Sequence, residues 1–155
     1  MNTGSQQSAV RSQPLRCLTE QPIDVAEWHR LAIDARDGAS VEFLGVVRAT
    51  EDDQPIVGLR YEAYEPMAER LIGRLIEQAR VRWTLHRACV QHRLGRVAVG
   101  EIAVLVGVQA PHRQEALTAC QFLIDGIKQD VPIWKQTVRS DGVMQSPHPH
   151  ADRVR

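Results

Sequence analysis

Two lysines are the residues of this sequence that most clearly suggest chemistry. Lys128 and Lys135, seven residues apart, are the only lysines among 19 basic residues, and the remaining basic residues are arginines. Unlike arginine, lysine can lose its proton and act as a nucleophile or a general base. Both lysines are therefore candidates for catalysis, although coding bias and chance would also explain their rarity. Asp125 and Asp130 could pair with Lys128, which is the usual fate of such a lysine.

A second group of residues could bind an anion. His112 and Arg113 follow Pro111 at the start of the last predicted helix, where free backbone N–H groups and the helix dipole favour a phosphate or a carboxylate. Arg48 ends the first strong predicted strand, where a loop site could use it. A solvated helix start and an ordinary arginine at a strand end are the alternatives. The candidate substrate-binding residues are thus Arg48, His112 and Arg113.

The spacing between the two groups restricts how they can act together. Lys128 lies 16 residues after His112, which corresponds to about 24 Å along a continuous helix. Extended lysine and arginine side chains do not close that gap over one small ligand. If these residues share a site, its anion-binding end must come from a second copy of the chain.

Composition and motifs argue against several other classes of protein. Acidic and basic residues balance at 19 each, and only seven residues are aromatic, which disfavours nucleic-acid binding. The longest apolar run, Ile102–Val108 with Gly107 counted, is seven residues, far below the ~20 needed to cross a bilayer. Residues 1–14 contain no apolar stretch of a secretory signal, so we expect a cytoplasmic protein without membrane contact. The spacing of the cysteines and histidines, and the lack of a glycine-rich nucleotide loop, predict no disulfide framework, no metal site and no resident cofactor.

Hydrophobic periodicity predicts a single α+β domain in which helices pack on a mixed, largely antiparallel sheet. The predicted strands cover residues 17–21, 39–48, 56–64, 88–94, 101–109 and 133–138. The predicted helices cover residues 25–35, about 66–83 and about 111–130, and Pro132 prevents the last helix from continuing. We expect the domain to span residues 16–142, between a disordered leader at 1–15 and a disordered tail at 143–155.

Short strings along residues 21–142 follow one another in the order of a known family. They are Gly38-Ala39, Val41-x-Phe43-x-Gly45-x-Val47-Arg48, Leu59-x-Tyr61-Glu62-x-Tyr64-x-x-Met67-Ala68, Arg82-Trp83, His92-Arg93-x-Gly95, Gly100-Glu101, His112-Arg113, Ile124-Asp125-x-x-Lys128 and Pro132-Ile133-Trp134-Lys135. No single string is diagnostic, but the ordered set is hard to obtain by chance. It resembles the large, catalytic subunit of the molybdopterin synthase family, and it includes both lysines.

The resemblance implies a fold, partners and a reaction. It implies a homodimer with an α/β hammerhead-like fold that binds two copies of a small ubiquitin-like sulfur carrier, giving a heterotetramer. The carrier's C-terminal Gly-Gly thiocarboxylate would transfer sulfur twice to cyclic pyranopterin monophosphate and form the dithiolene of molybdopterin. By the same resemblance, Lys128 and Lys135 are catalytic, and Arg48, His112 and Arg113 contact the anionic substrate. The alternative is a non-catalytic dimeric module that binds a phosphorylated metabolite or a protein tail.

Overall fold

The computed structural model describes residues 16–145, which contain three helices and ten strands. The helices are α1 (Val25–His29), α2 (Glu65–Arg82) and α3 (Arg113–Asp130). The strands are β1 (Leu18–Thr19), β2 (Ala39–Val46), β3 (Thr50–Glu51), β4 (Gln54–Pro55), β5 (Gly58–Ala63), β6 (Arg87–Arg93), β7 (Gly95–Ala98), β8 (Ile102–Ala110), β9 (Ile133–Val138) and β10 (Met144–Gln145). The leader predicted at residues 1–15 and residues 146–155 of the predicted tail lie outside the described residues.

The strands form two four-stranded sheets and one small hairpin. The first sheet has the order β1-β6-β8-β2, in which β1 runs parallel to β6 and the other pairs are antiparallel. The second sheet has the order β10-β9-β5-β7 and is antiparallel. β3 and β4 form the hairpin. The predicted α+β fold, with helices on a mixed and largely antiparallel sheet, is confirmed, but the strands divide between two sheets.

Helices cover both faces of the first sheet. α2 and α3 pack on one face, and their main core contains the buried side chains Ile72, Leu75, Val90, Val106 and Leu123. α1 covers the other face with Trp28, which is 2% exposed. Gly107 of β8 makes room for this ring, because a Cβ there would lie 2.6 Å from it. None of the helices within residues 16–145 has both the length and the apolar character that crossing a bilayer requires.

α1 is shorter than predicted, because it ends at His29 and does not continue to residue 35. Its start agrees with the sequence, since Asp24 is the N-cap and its side chain accepts a hydrogen bond from the N–H of Ala26. Further along, the Asp34 side chain accepts a hydrogen bond from the N–H of Arg36. Such local side-chain bonds stabilise a turn at the expense of a helix.

Short strands occur where the sequence predicted loop or tail. β3 and β4 lie in the predicted loop 49–55 and join through Asp52 and Asp53, whose φ angles of 49° and 58° suit a two-residue hairpin turn. Aspartate tolerates this left-handed backbone. β7 pairs with β5 in the second sheet, and β10 pairs with β9 although disorder was predicted from residue 143.

The contact between Gly38 and Pro111 gives a test of this packing. The Gly38 N–H donates to the carbonyl oxygens of Ala110 and Pro111. A Cβ at Gly38 would lie 2.5 Å from the Pro111 carbonyl oxygen, a backbone atom that cannot rotate away. We expect Gly38→Ala to lower the free energy of unfolding by about 1–3 kcal/mol in urea titrations.

Gly73→Ala is the matched control, because nothing lies within 4 Å of a Cβ at this position of α2. Alanine favours a helix over glycine, so the free energy of unfolding should rise by up to about 1 kcal/mol. Equal effects of the two substitutions would contradict the close approach at Gly38.

Candidate functional site

Lys135 lies in the middle of β9, where strand pairing sets its surroundings. In the register between β9 and β5 it is opposite Tyr61, so both side chains project from the same face of the second sheet. The Lys135 amino group donates a hydrogen bond to Oε1 of Glu51, which the hairpin brings in. The Lys135 side chain is 34% exposed. Three segments that are far apart in the sequence therefore meet at this lysine.

Arg48 is a second cation near the Glu51 carboxylate. The Glu51 side chain is only 13% exposed, and its Oε2 lies 3.8 Å from a guanidinium nitrogen of Arg48, whose side chain is 79% exposed. The structure thus brings together Lys135 and Arg48, two of the predicted site residues. Sequence reasoning missed Glu51, for which the only local signal was an acidic residue three positions after Arg48.

Tyr61 and His92 contribute neutral groups beside these charges. Burial, and to a lesser extent the charge of Glu51, raise the pKa of Tyr61 to about 12, so its hydroxyl keeps its proton at neutral pH. The Tyr61 ring meets the His92 ring edge-on, with 4.9 Å between the centroids. Burial lowers the pKa of His92, and its Nδ1 donates to the carbonyl oxygen of Arg93 at 2.9 Å. The charge at this site therefore resides on the ion pairs of Glu51.

Lys128 is exposed in the last turn of α3. The neighbouring Asp125 accepts a hydrogen bond from Gln121 at 2.8 Å. Within residues 16–145, no carboxylate lies within ion-pair distance of Lys128. The alternative of a pairing with Asp125 or Asp130 is therefore wrong for this structure, and the Lys128 amino group is accessible to a ligand.

His112 and Arg113 mark the opposite end of α3. His112 is the N-cap residue, but its side chain makes no capping hydrogen bond, and both side chains are exposed. α3 runs without interruption from Arg113 to Asp130, so His112 and Lys128 are separated by about 24 Å along the helix axis. Within one chain, the structure does not bring the predicted anion-binding pair to the lysine.

A buried hydrogen bond between two side chains anchors the segment that holds the start of α3. Asp37 precedes Gly38, its side chain is completely buried, and its Oδ1 lies 2.5 Å from Nδ1 of His86. Removing His86 would leave a buried carboxylate without this partner, which is costly. The pair therefore holds the Gly38 segment against Pro111, next to His112.

The three cysteines, Cys17, Cys89 and Cys120, are free thiols. Burial is the main cause that raises the pKa of Cys89 to about 12 and that of Cys120 to about 11. Both thiols are therefore protonated at neutral pH and are poor nucleophiles. In the described part of the chain, no three His, Cys, Asp or Glu side chains are grouped to hold a metal ion.

Comparisons with known proteins place this chain in a family. A family model described as MoaE protein matches residues 18–130, well over half of the chain. A molybdopterin synthase catalytic subunit from Nostoc sp. is 43% identical over 126 residues, which are 81% of this chain and 76% of that protein. The subunit of the same name from Arabidopsis thaliana is 42% identical over 120 residues, which are 77% of this chain and 61% of that protein.

A solved structure shows that the fold is also similar to that of a molybdopterin synthase. The crystal structure of molybdopterin synthase from Staphylococcus aureus matches with a TM-score of 0.77 at 34% sequence identity, covering 84% of this chain and 96% of that chain. The resemblance seen in the ordered sequence strings is confirmed. Because the family model spans α1 to α3 and the relatives are similar over more than three quarters of this sequence, the chain belongs to the MoaE protein family.

Proposed function

We propose that this chain is the catalytic subunit of a molybdopterin synthase. It transfers sulfur from the C-terminal thiocarboxylate of a small ubiquitin-like carrier to cyclic pyranopterin monophosphate and so forms the molybdopterin dithiolene. The observation that carries the proposal is the convergence of Lys135 and Arg48 on Glu51. Lys135 and Arg48, to which the resemblance gives a catalytic and a substrate-binding role, thus lie near one carboxylate, and this supports the proposal.

The exposed cations of this site suit two anionic reactants, a thiocarboxylate and a cyclic phosphate. Arg48 is free enough to donate charge-assisted hydrogen bonds to either anion, since most of its side chain is exposed. Lys128 can transfer a proton, or stabilise the negative charge that develops as the thiocarboxylate reacts. Lys135 assists from β9, and His112 and Arg113 hold the phosphate at the start of a helix, where backbone N–H groups favour an anion.

The proposal places the reaction in the cytoplasm. Cys17, Cys89 and Cys120 are all free, which is typical of a protein kept in a reducing compartment.

One assay separates the enzyme from a binding module. The chain is incubated with the thiocarboxylated carrier and cyclic pyranopterin monophosphate, and the dithiolene product is measured. Product formation supports the synthase. Binding of both reactants without any product would instead support a non-catalytic dimeric module.

The first prediction of this proposal concerns the two lysines. Lys128→Ala should lower turnover by about 10²–10⁴-fold, the usual contribution of a proton-transfer group, and Lys135→Ala should lower it strongly but less. Arginine should rescue neither position, because guanidinium stays protonated and is larger. Gln129→Ala, at an exposed neighbour in the last turn of α3, is the control and should leave turnover unchanged. Turnover of Lys128→Arg at the wild-type rate would refute the proton-transfer role.

The second prediction concerns the carrier. Its extended Gly-Gly tail should reach the lysines, while the body of the carrier docks on a broader surface. A carrier without this tail should bind more weakly, as titration calorimetry would show, and should support no dithiolene formation. Full sulfur transfer from a tailless carrier would rule out this binding mode.

The third prediction concerns the length of α3. Because about 24 Å separates its two ends, we propose a composite site in which His112 and Arg113 of one protomer face Lys128, Lys135 and Arg48 of its partner. The Arg113→Ala and Lys128→Ala homodimers should then each be poorly active. A mixed dimer would keep one intact site.

Subunit exchange provides the measurement for the composite site. With random exchange between equal amounts of the two variants, half of the dimers are mixed. Each mixed dimer has one intact site of two. The activity should therefore recover to about a quarter of the wild-type level. Proven exchange without any recovery would place the whole site in one chain.

A further inference from the structure

The function proposed above leaves Glu51 unexplained. The reactants are anions, and a carboxylate among the cations that bind them opposes their binding electrostatically. Yet Glu51 is mostly buried and contacts both Lys135 and Arg48. The role of the Glu51 carboxylate among these cations therefore has to be explained.

The two contacts of Glu51 are unequal. The Lys135 amino group donates directly to Oε1, and about two thirds of the lysine side chain is covered. Arg48 lies 3.8 Å from Oε2, too far for a hydrogen bond, and most of its side chain is in solvent. Glu51 thus holds Lys135 firmly and Arg48 loosely.

The same contact joins the hairpin to β9. Of residues 50–55, Glu51 alone is not exposed, and β3 and β4 are only two residues long each. The turn at Asp52 and Asp53 shapes the hairpin, but the buried Glu51 side chain joins it to β9. Because the Glu51 carboxylate contacts Lys135, which pairs with Tyr61 across β9 and β5, it lies on the same side of the second sheet as the Lys135 and Tyr61 side chains.

We propose that Glu51 is a positioning residue, whose carboxylate fixes the Lys135 amino group in the reaction site. Because Glu51 holds Arg48 only loosely, Arg48 is free to leave it and bind the substrate anion. This role rests on the proposed function. Before a reactant binds, Glu51 is the counter-ion of both cations. When an anionic reactant binds, its oxygens replace Glu51 at the loosely held Arg48, whereas Lys135 keeps its contact and its orientation.

The lysine content of the chain allows a test that needs no substrate. Lys128 and Lys135 are the only lysines, so labelling with an amine-reactive reagent, followed by peptide mass spectrometry, reports on each one separately. In Glu51→Gln the label at Lys135 should form about threefold faster or more, because a partly covered ion pair is lost. Labelling of Lys128 should not change.

Asp53→Asn is the matched control, since it removes one negative charge from the same hairpin. Asp53 is exposed, and asparagine tolerates its φ of 58°. Labelling of Lys135 should stay at the wild-type rate in this variant. An unchanged rate in Glu51→Gln, or an equal increase in Asp53→Asn, would overturn the proposal.

Steady-state kinetics test the consequence for the reaction. In Glu51→Gln, kcat should fall by about tenfold, as for a misplaced catalytic group, while KM for the cyclic phosphate should not rise, because the competing carboxylate is gone. A loosened hairpin alone would raise KM, and a raised KM with unchanged kcat would overturn the positioning role. Wild-type protein that forms no dithiolene would refute the proposed function, and the labelling would still decide whether Glu51 holds Lys135.

Discussion

The burial of one continuous face of α3 determines where both halves of the proposed site lie. Ala116, Ala119, Cys120, Leu123 and Ile127 are all buried and recur every three or four residues, which keeps the 18-residue helix against the first sheet and α2. A bend would expose part of this face to water, at a cost proportional to the apolar area. β8 leads into the helix and β9 follows it, so one uninterrupted helix separates the proposed anion-binding residues from Lys128.

Elements with a long periodic face were predictable from the sequence, and short elements were not. The limits predicted for α2, α3 and β9 agree closely with the structure, because apolar periodicity and Pro132 mark them. β7 and the hairpin of β3 and β4 exist through pairing with other strands or through a turn of two aspartates, which polarity patterns do not reveal. α1 was overestimated because the turn formed by Asp34 interrupts a sequence that otherwise suits a helix.

Candidate site residues could be predicted from the sequence where they are unusual in type or position. Rarity made Lys128 and Lys135 candidates, and their places at element ends made Arg48, His112 and Arg113 candidates. Glu51 has no such mark, because its burial arises only when the hairpin meets a strand 84 residues later in the chain. The position of Lys135 opposite Tyr61 is likewise a matter of strand register, which one sequence does not define.

The distribution of charge explains how a chain of zero net charge can bind an anion. Glu51 neutralises much of the charge of Lys135, whereas Arg48 is mostly exposed and Lys128 has no ion-pair partner in the described part of the chain. The dipole of α3 favours a cation at its last turn, where Lys128 lies, and an anion at its first turn, beside His112 and Arg113. A two-fold dimer that sets the first turn of one α3 against the last turn of the other would gather these groups around one substrate. The positive potential would then be local to the composite site, and the rest of the surface would not need to be basic.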